Sequence, residues 1–544
     1  MLRRLAQGPH CRCGGVRVKG GAPRSCHEPI LVNHVTQSQD EVFGFLADPA
    51  SHGGAKVTRI DTHGAAVFLS GERVLKVKRA VKFPFLDYST VEKRRAACEA
   101  ELEVNRPFAP QIYRGVVPIT REPSGKLAIG GKGETVEWAL EMARFDENAT
   151  LDHLADAGRI DDTLADALGR AVAAAHEKAP VVDAAPWIAT LSEYISQNDE
   201  AFQEFPTLFA VDVIAALTAE SHAAFARVRP LLERRGAMGF IRRGHGDLHL
   251  GNIVLIDGKP VLFDALEFDP LVASGDVLYD LAFLLMDLVE RKLPKAANIV
   301  FNRYLAETAR ESDFDALAAL PLFLSVRAAI RAKVTAAKLE TAKKADQRAI
   351  ENNARDYFAL ALQLIAPPAP ALIAVGGLSG TGKSVLGRGL APFALPSPGA
   401  VVLRSDVMRK RLFGAGETDK LPETAYTPDV TREIYSALAE QARRIVAAGH
   451  CAIVDAVFAK DDEREAIAAV ANAAKIRFRG LFLTADLETR VARVGARVND
   501  ASDADESVVR KQAGYDLGAL DWKEVDASGT PEQTLVNAKA ALAQ

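Results

Sequence analysis

The chain predicts two folded domains in series: a two-lobed α+β domain, then an α/β domain built on a parallel sheet. Three observations predict this. Near the middle, His245-Gly246-Asp247-Leu248-His249-Leu250-Gly251-Asn252 sets an Asp five positions before an Asn, and the apolar run Val261-Leu262-Phe263 delivers Asp264 twelve positions after that Asn. Further on, Pro367-Pro368-Ala369-Pro370 interrupts helix-forming sequence and reads as a linker. Directly after it, Ala371-Leu372-Ile373-Ala374-Val375-Gly376 runs into Gly377-Leu378-Ser379-Gly380-Thr381-Gly382-Lys383-Ser384. That is strand, glycine loop and helix in the order a phosphate-binding loop requires.

The bulk numbers set bounds. At 544 residues the chain exceeds one ordinary domain. A hydrophobic share of 48% with 25% charged residues is that of a soluble globular protein. No apolar run approaches the roughly 20 residues needed to span a membrane. The net charge of -4 gives no electrostatic footprint for nucleic acid. Five cysteines, few and odd in number, suit a reduced cytoplasm rather than a disulfide scaffold.

The central motif carries its own chemistry. Asp247 can accept the proton of an attacking hydroxyl, and Asn252 and Asp264 can hold magnesium beside a transferring phosphate. His-Gly-Asp-x-His-x2-Asn followed by a strand ending in Asp resembles the "Brenner" signature of the aminoglycoside phosphotransferase family, which shares the protein-kinase fold. The resemblance implies a two-lobed nucleotide-binding domain, and the remaining elements are read against it.

Residues 1–30 form a basic, glycine-rich tail with no apolar core of a secretory signal, expected to be disordered. His10, Cys11, Cys13, Cys26 and His27 are zinc-ligand types, but their spacing fits no standard finger. A short amphipathic helix is expected from about Val35 to Leu46. The alternating runs Gly64–Leu69 and Arg73–Lys78, joined at Ser70-Gly71-Glu72, read as a β-hairpin. In the kinase fold this hairpin covers the nucleotide, and a Lys on its second strand touches the α- and β-phosphates. Lys76 is the choice, with Lys78 on the same face by the two-residue strand period. Only Gly64 stands for the glycine-rich loop, which fits a small-molecule kinase better than a protein kinase. Glu92 to Asn105 is strongly helical; Glu101, or Glu99, would pair with the strand Lys, since two residues apart they cannot share a face. Val136–Met142 is an alternating strand resembling the hinge, where backbone groups of Glu141 and Met142 would meet an adenine edge.

Amphipathic helices follow from about Leu151 to Glu233. After Asp264, Asp276 to Ala282 begins a helix in which Asp276 or Asp280 is read as a brace. Helices continue to about Ile365. Arg327 and Arg331 share one helical face, which the sequence leaves as a solvated or salt-bridged surface or as a face for an anionic or neutral substrate.

In the second domain the glycines let backbone N–H groups wrap phosphates, Lys383 reaches the β- and γ-phosphates, and Ser384 binds magnesium. Gly377, Ser379, Gly380, Thr381 and Gly382 complete the loop. Val401-Val402-Leu403 is a second strand ending in Arg404-Ser405-Asp406. Cys451 to Asp455 is a third, with Asp455 at a Walker-B-like, metal-binding position. Arg490, Arg493 and Arg497, at i, i+3 and i+7, read as a lid stripe before the polar loop 499–505. This domain resembles small P-loop kinases of the gluconate kinase, polynucleotide kinase and zeta-toxin type. That resemblance implies Asp406 as base towards the acceptor hydroxyl, with the arginines beside it, Arg404 and Arg409, holding the substrate; the lid stripe would supply Arg493 and Arg497 as charge stabilisers.

Over residues 31–544 the arrangement resembles bacterial bifunctional proteins in which an aminoglycoside phosphotransferase-like domain is fused to a P-loop ATP-binding kinase-like domain. The boundaries expected are 31–366, a linker at 367–370, and 371–544. The implied function is transfer of the γ-phosphate of Mg-ATP to the hydroxyl of a small molecule, in the cytoplasm, at two ATP- and magnesium-binding sites. A regulatory ATPase and a nucleic-acid 5′-kinase are the alternatives, the latter opposed by the mildly acidic chain.

Overall fold

The computed structural model describes residues 35–62, 64–83, 86–267, 269–498 and 500–543. The basic tail with its zinc-ligand types, and Asn499, lie outside the described residues. The chain divides into two compact units, one of Met1–Ala157, Arg243–Ser274 and Ala337–Ala342, the other of Gly158–Arg242, Gly275–Ala336 and Lys343–Gln544.

The first unit is built on a six-stranded antiparallel sheet. Its strands run in the order Val57–Asp61, Ala65–Ser70, Arg73–Lys78, Glu134–Ala143, Tyr113–Arg121 and Leu127–Ile129. The hairpin forms with Ser70 opposite Arg73 across a two-residue turn, where Gly71 takes φ 53°. A positive φ suits the mirror-image turns that match strand twist, and glycine adopts it without a Cβ clash. Strand alternation sends Leu69 and Val74 to one face and Phe68, Leu75 and Val77 to the other. Helix Asp40–Ala47 packs Val42, Phe43 and Leu46 against the second face. It starts five residues later than expected, with Val35 instead in an isolated bridge to Val81. Helix Val91–Asn105 lies on the first face, capped by the Thr90 hydroxyl accepting from the Lys93 N–H. Its buried residues Arg94, Cys98, Glu101 and Asn105 follow the helical repeat, so one stripe faces inward.

The second unit holds most of the other helices and a five-stranded parallel sheet. Helix Val277–Glu290 is buried along nearly its whole length, as its apolar composition demands. Asp276 caps it, accepting from the Leu278 N–H at 2.9 Å while taking Arg235 at 2.6 and 2.9 Å. Asp280 lies 3.2 Å from His176 Nε2. Arg327 is not a solvated residue: it is buried over the rings of Tyr279 and Phe283, at 3.9 and 4.8 Å. Arg331 lies over Tyr357 at 5.4 Å. Aromatic faces attract guanidinium through their quadrupoles, an option that residue spacing along a helix does not reveal.

The parallel sheet has the order Val401–Arg404, Ala452–Asp455, Ala371–Gly377, Arg477–Thr484, Lys523–Asp526. The inner strands Ala371–Gly377 and Ala452–Asp455 are buried on both faces, as parallel strands usually are, whereas the edge strand Lys523–Asp526 buries only Val525. The edge strand Val401–Arg404 is closed by helix Pro294–Thr308. Asn302 Oδ1 accepts the Val402 N–H at 2.7 Å, and Asn298 and Asn302 each donate an Nδ2 to the Ala400 carbonyl at 3.0 Å. Two asparagine amides thus stand in for the ladder partner of a missing strand. Among the described residues, no helix is long and apolar enough to cross a membrane.

Candidate active sites

In the first unit an ion cluster forms where strand Arg73–Lys78 faces helix Val91–Asn105. Lys76 Nζ lies 2.6 Å from Glu101 Oε1 and 3.1 Å from Asp264 Oδ1. Lys78, on the same strand face, lies 2.6 Å from Glu101 Oε2 and 2.6 Å from Glu267 Oε1. Both lysines therefore share Glu101, and only Lys76 also reaches Asp264. Glu99 is exposed and pairs with Arg95 four residues earlier. Burial opposes the charge on Lys76, but Asp264 and Glu101 outweigh it and hold the ammonium well above its ordinary pKa. Burial likewise opposes ionisation of Glu101, and the two ammonium groups outweigh it and hold the carboxylate low.

The loop after strand Ile241–Arg243 positions the acids. Asn252 Nδ2 donates to the Asp247 carbonyl at 2.9 Å and to its carboxylate at 3.1 Å. His245 bonds the Phe263 carbonyl at 2.9 Å, and Phe263 N–H donates to the Asn252 carbonyl at 3.0 Å. Asp264 takes φ 59°, a left-handed conformation sparsely used outside glycine. Three bonds hold it there: its N–H donates to Tyr113 Oη at 3.0 Å, and Asn105 clamps Ala265 on both sides, at 2.7 and 3.1 Å. Strain of this kind is kept where surroundings over-determine it, commonly at functional sites. Asn252 turns its amide nitrogen to Asp247, which leaves the amide oxygen as the end able to face a cation. Among the described residues no three His, Cys, Asp or Glu side chains form a ready metal cage. One carboxylate with an amide oxygen fits magnesium, which takes most of its ligands from phosphate and water.

The adenine-binding expectation at Glu141 and Met142 needs correction. Both lie inside the central strand Glu134–Ala143, Glu141 beside Leu75 and Gly115, Met142 beside Val74 and Tyr113. Their backbone groups face strands on either side rather than an open edge. The Glu141 carboxylate instead pairs with Arg73 at 2.9 Å.

In the second unit, strand Ala371–Gly377 leads through the glycine loop into helix Lys383–Leu390. Gly377, Gly380 and Gly382 take φ of 137°, 88° and 90°, and a Cβ on Gly380 would sit 2.5 Å from the Arg490 carbonyl. Thr381 Oγ1 and Lys383 Nζ both donate to the Leu378 carbonyl, at 2.8 and 3.3 Å. Ser379 N–H donates to Gln512 Oε1 at 2.7 Å. The Ser384 hydroxyl donates to the Asp455 carboxylate, so the two oxygens that would flank a cation already meet. Burial lowers the Lys383 pKa, with Asp455 and Asp406 opposing. Burial, then the Asp455 charge, raises the Asp406 pKa, while Lys383 and Arg404 oppose. Asp406 sits in the first turn of helix Ser405–Leu412, directly after the edge strand.

The arginine stripe does not form as one face. The helix ends at Gly495, so Arg497 lies beyond it. Arg490 is buried and donates to the Ser379 carbonyl at 2.9 Å, bracing the loop from behind. Arg493 donates to the carbonyls of Ala527 and Gly529, each at 2.7 Å, so backbone acceptors take the charge predicted to stabilise a transition state. Arg497 keeps a buried Nη1 without a hydrogen-bond partner, and its charge acts on Lys383 and Asp500. Arg404, expected only as one of the arginines beside Asp406, lies 3.5 Å from Asp455 and 3.2 Å from Asp500, partners that sequence reasoning missed. It also missed Glu267 and Gln512, whose partners lie 189 and 133 residues away.

Two separate stretches of the chain match known families, and the first of them spans parts of both compact units. Residues 74–320 match the model of the phosphotransferase enzyme family, and residues 372–515 match that of an AAA domain. An uncharacterized protein of Mycobacterium tuberculosis is 29% identical over 493 residues, covering 87% of this chain and 93% of its own length. Among solved structures, a gluconokinase from Sinorhizobium meliloti aligns with 32% of this chain and 92% of its own, at 22% identity and a TM-score of 0.24. An ethanolamine kinase from Plasmodium vivax aligns with 59% of this chain and 86% of its own, at 10% identity and a TM-score of 0.37.

Proposed function

We propose, for a kinase-type enzyme whose phosphotransferase-family domain precedes a P-loop AAA domain, that the first domain moves the γ-phosphate of ATP to the hydroxyl of a small molecule. One observation carries this: Lys76 bridges Glu101 and Asp264 in a unit that also holds Asp247 against Asn252. Asp247 accepts the hydroxyl proton, Lys76 orients phosphates, and Asn252 and Asp264 hold magnesium. The metal supplies neutralisation of phosphate charge when bound. The P-loop domain takes a second Mg-ATP, with Lys383 on the phosphates, Ser384 and Asp455 at the cation, and Asp406 as base. Of the predicted arginines, Arg497 keeps the role of stabilising charge. Sugars, amino-alcohols and aminoglycoside-like compounds are the acceptor classes in view.

The test is γ-phosphate transfer from ATP across a panel of sugars, amino-alcohols, aminoglycosides and oligonucleotides, with Asp247→Ala and Lys383→Ala run in parallel. Phosphorylation of a small acceptor lost only in Asp247→Ala assigns the chemistry to the first domain. ATP hydrolysis without any acceptor, abolished by Lys383→Ala alone, would replace this reading with a regulatory ATPase. Transfer to oligonucleotides would replace it with a nucleic-acid kinase.

A further inference from the structure

Helix Pro294–Thr308 lies among the residues matched to the phosphotransferase family, yet it reaches the P-loop site. Its asparagines fix the edge strand that ends in Arg404. One residue after Asn302, Arg303 Nη1 donates to Glu417 Oε2 at 3.0 Å. Arg303 also pairs with Asp166 and, at 3.5 Å, with Glu307. Glu417 Oε1 lies 3.9 Å from Arg404 Nη1. Arg404 in turn faces Asp455 at 3.5 Å and Asp500 at 3.2 Å. Its side chain is 10% exposed and that of Glu417 37%. One guanidinium is therefore divided among three carboxylates, and one of those is also held by Arg303.

We propose that Arg303 is a positioning residue for the P-loop site. Through Glu417 it sets how much of the Arg404 charge falls on Asp455, and so how readily Asp455 and Ser384 take a divalent cation with nucleotide. The proposal rests on reading the P-loop as a Mg-ATP site. The signs follow from competition for one charge. Without Arg303, Glu417 is freed to draw Arg404 away, and Asp455 is left more negative. Without the Glu417 charge, Arg404 settles on Asp455 and Asp500, and Asp455 is neutralised. The two substitutions act in opposite directions, which loss of packing at a shared contact does not produce.

The experiment titrates Mg²⁺ against ATP binding by calorimetry, using the full chain. The binding component lost in Lys383→Ala reports the P-loop site. Arg303→Met lowers the Mg²⁺ midpoint of that component about two- to fivefold, the range of partly exposed ion pairs. Glu417→Gln raises it by a similar factor. The double variant follows Glu417→Gln, because Arg303 acts through that residue. Arg303→Lys keeps the charge and falls between wild type and Arg303→Met. Glu417 is only partly buried, so its variant carries the test if Arg303→Met folds poorly. Shifts of the same sign, an additive double variant, or no shift would overturn the proposal. If Lys383→Ala removes no ATP component, the P-loop reading itself has failed and takes this proposal with it.

Discussion

Lys78→Met separates the two lysines of the first site. Lys78 is 2% exposed, and its Nζ meets Glu101 and Glu267, each at 2.6 Å. Methionine keeps the length and removes the charge. Glu101 retains Lys76 at 2.6 Å, but Glu267 is left buried without that ammonium. Stranding one partner of a buried pair costs about 3–5 kcal/mol. A stranded carboxylate can escape by taking a proton, which at pH 7 costs roughly 3.7 kcal/mol for a glutamate of ordinary pKa about 4.3. The destabilisation is therefore about 3–4 kcal/mol at pH 7 and shrinks to roughly 1 kcal/mol at pH 5. Urea unfolding at both pH values, with unchanged m-value, measures it. Adding Glu267→Gln recovers much of the loss. Lys76→Met behaves differently: the Asp264 side chain it abandons is 23% exposed, so water meets that charge. Its stability loss is smaller, about 1–2 kcal/mol, while transfer at the first site falls by at least 100-fold. A Lys78→Met protein as stable as wild type, or a loss independent of pH, would refute the stranded-carboxylate argument.

Other outcomes follow from the same geometry. Asp406→Asn should abolish any P-loop transfer yet raise stability at pH 7 by about 0.5–2 kcal/mol. Burial and Asp455 raise the folded-state pKa of Asp406, so its charged form is a burden that is relieved as pH falls through that raised value. Unchanged or lowered unfolding midpoints would count against this. His450 is held neutral: burial pulls its pKa to about 4, and its Nε2 bonds the Gly399 carbonyl at 2.9 Å. With a folded pKa below the ordinary histidine value of 6.5, its contribution is complete above pH 6.5 and is lost between 6.5 and 4, on the order of 3 kcal/mol. His450→Gln should flatten stability against pH in that window, and parallel curves would refute the assignment. Gly380→Ala should cost at least about tenfold in ATP affinity at the P-loop, since its φ is 88° and a Cβ meets the Arg490 carbonyl at 2.5 Å; normal affinity would show that the loop tolerates the displacement.

What the sequence disclosed depends on how local each determinant is. The strand, loop and helix of Ala371–Leu390 are contiguous and their chemistry is spelled out by glycines, so they were legible. The hairpin was legible from its alternation. The helical repeat told only that Glu101 and Glu99 cannot share a face; the pairing itself decides, with Glu101 beside Lys76 and Glu99 facing outward. The left-handed Asp264 was not legible, because it is imposed by Tyr113 and Asn105, each more than 150 residues away. The arginine stripe misled for a related reason. Spacing told which residues share a helical face, but not that backbone carbonyls would take Arg490 and Arg493, nor that the helix would stop before Arg497. Arg327 over Tyr279 belongs to the same class: an aromatic neighbour 48 residues away replaces the expected water.

The asparagine amides of Asn298 and Asn302 bear on how the polypeptide can be cut. A fragment beginning at Ala371 keeps all five parallel strands but loses the two side chains that occupy the outer margin of Val401–Arg404. That margin then offers bare N–H and C=O groups to any strand it meets, including its own copies. The proline run marks where the backbone changes course, yet it is a poor place for scissors. A soluble P-loop fragment would have to carry helix 294–308 with it or replace the margin with charge.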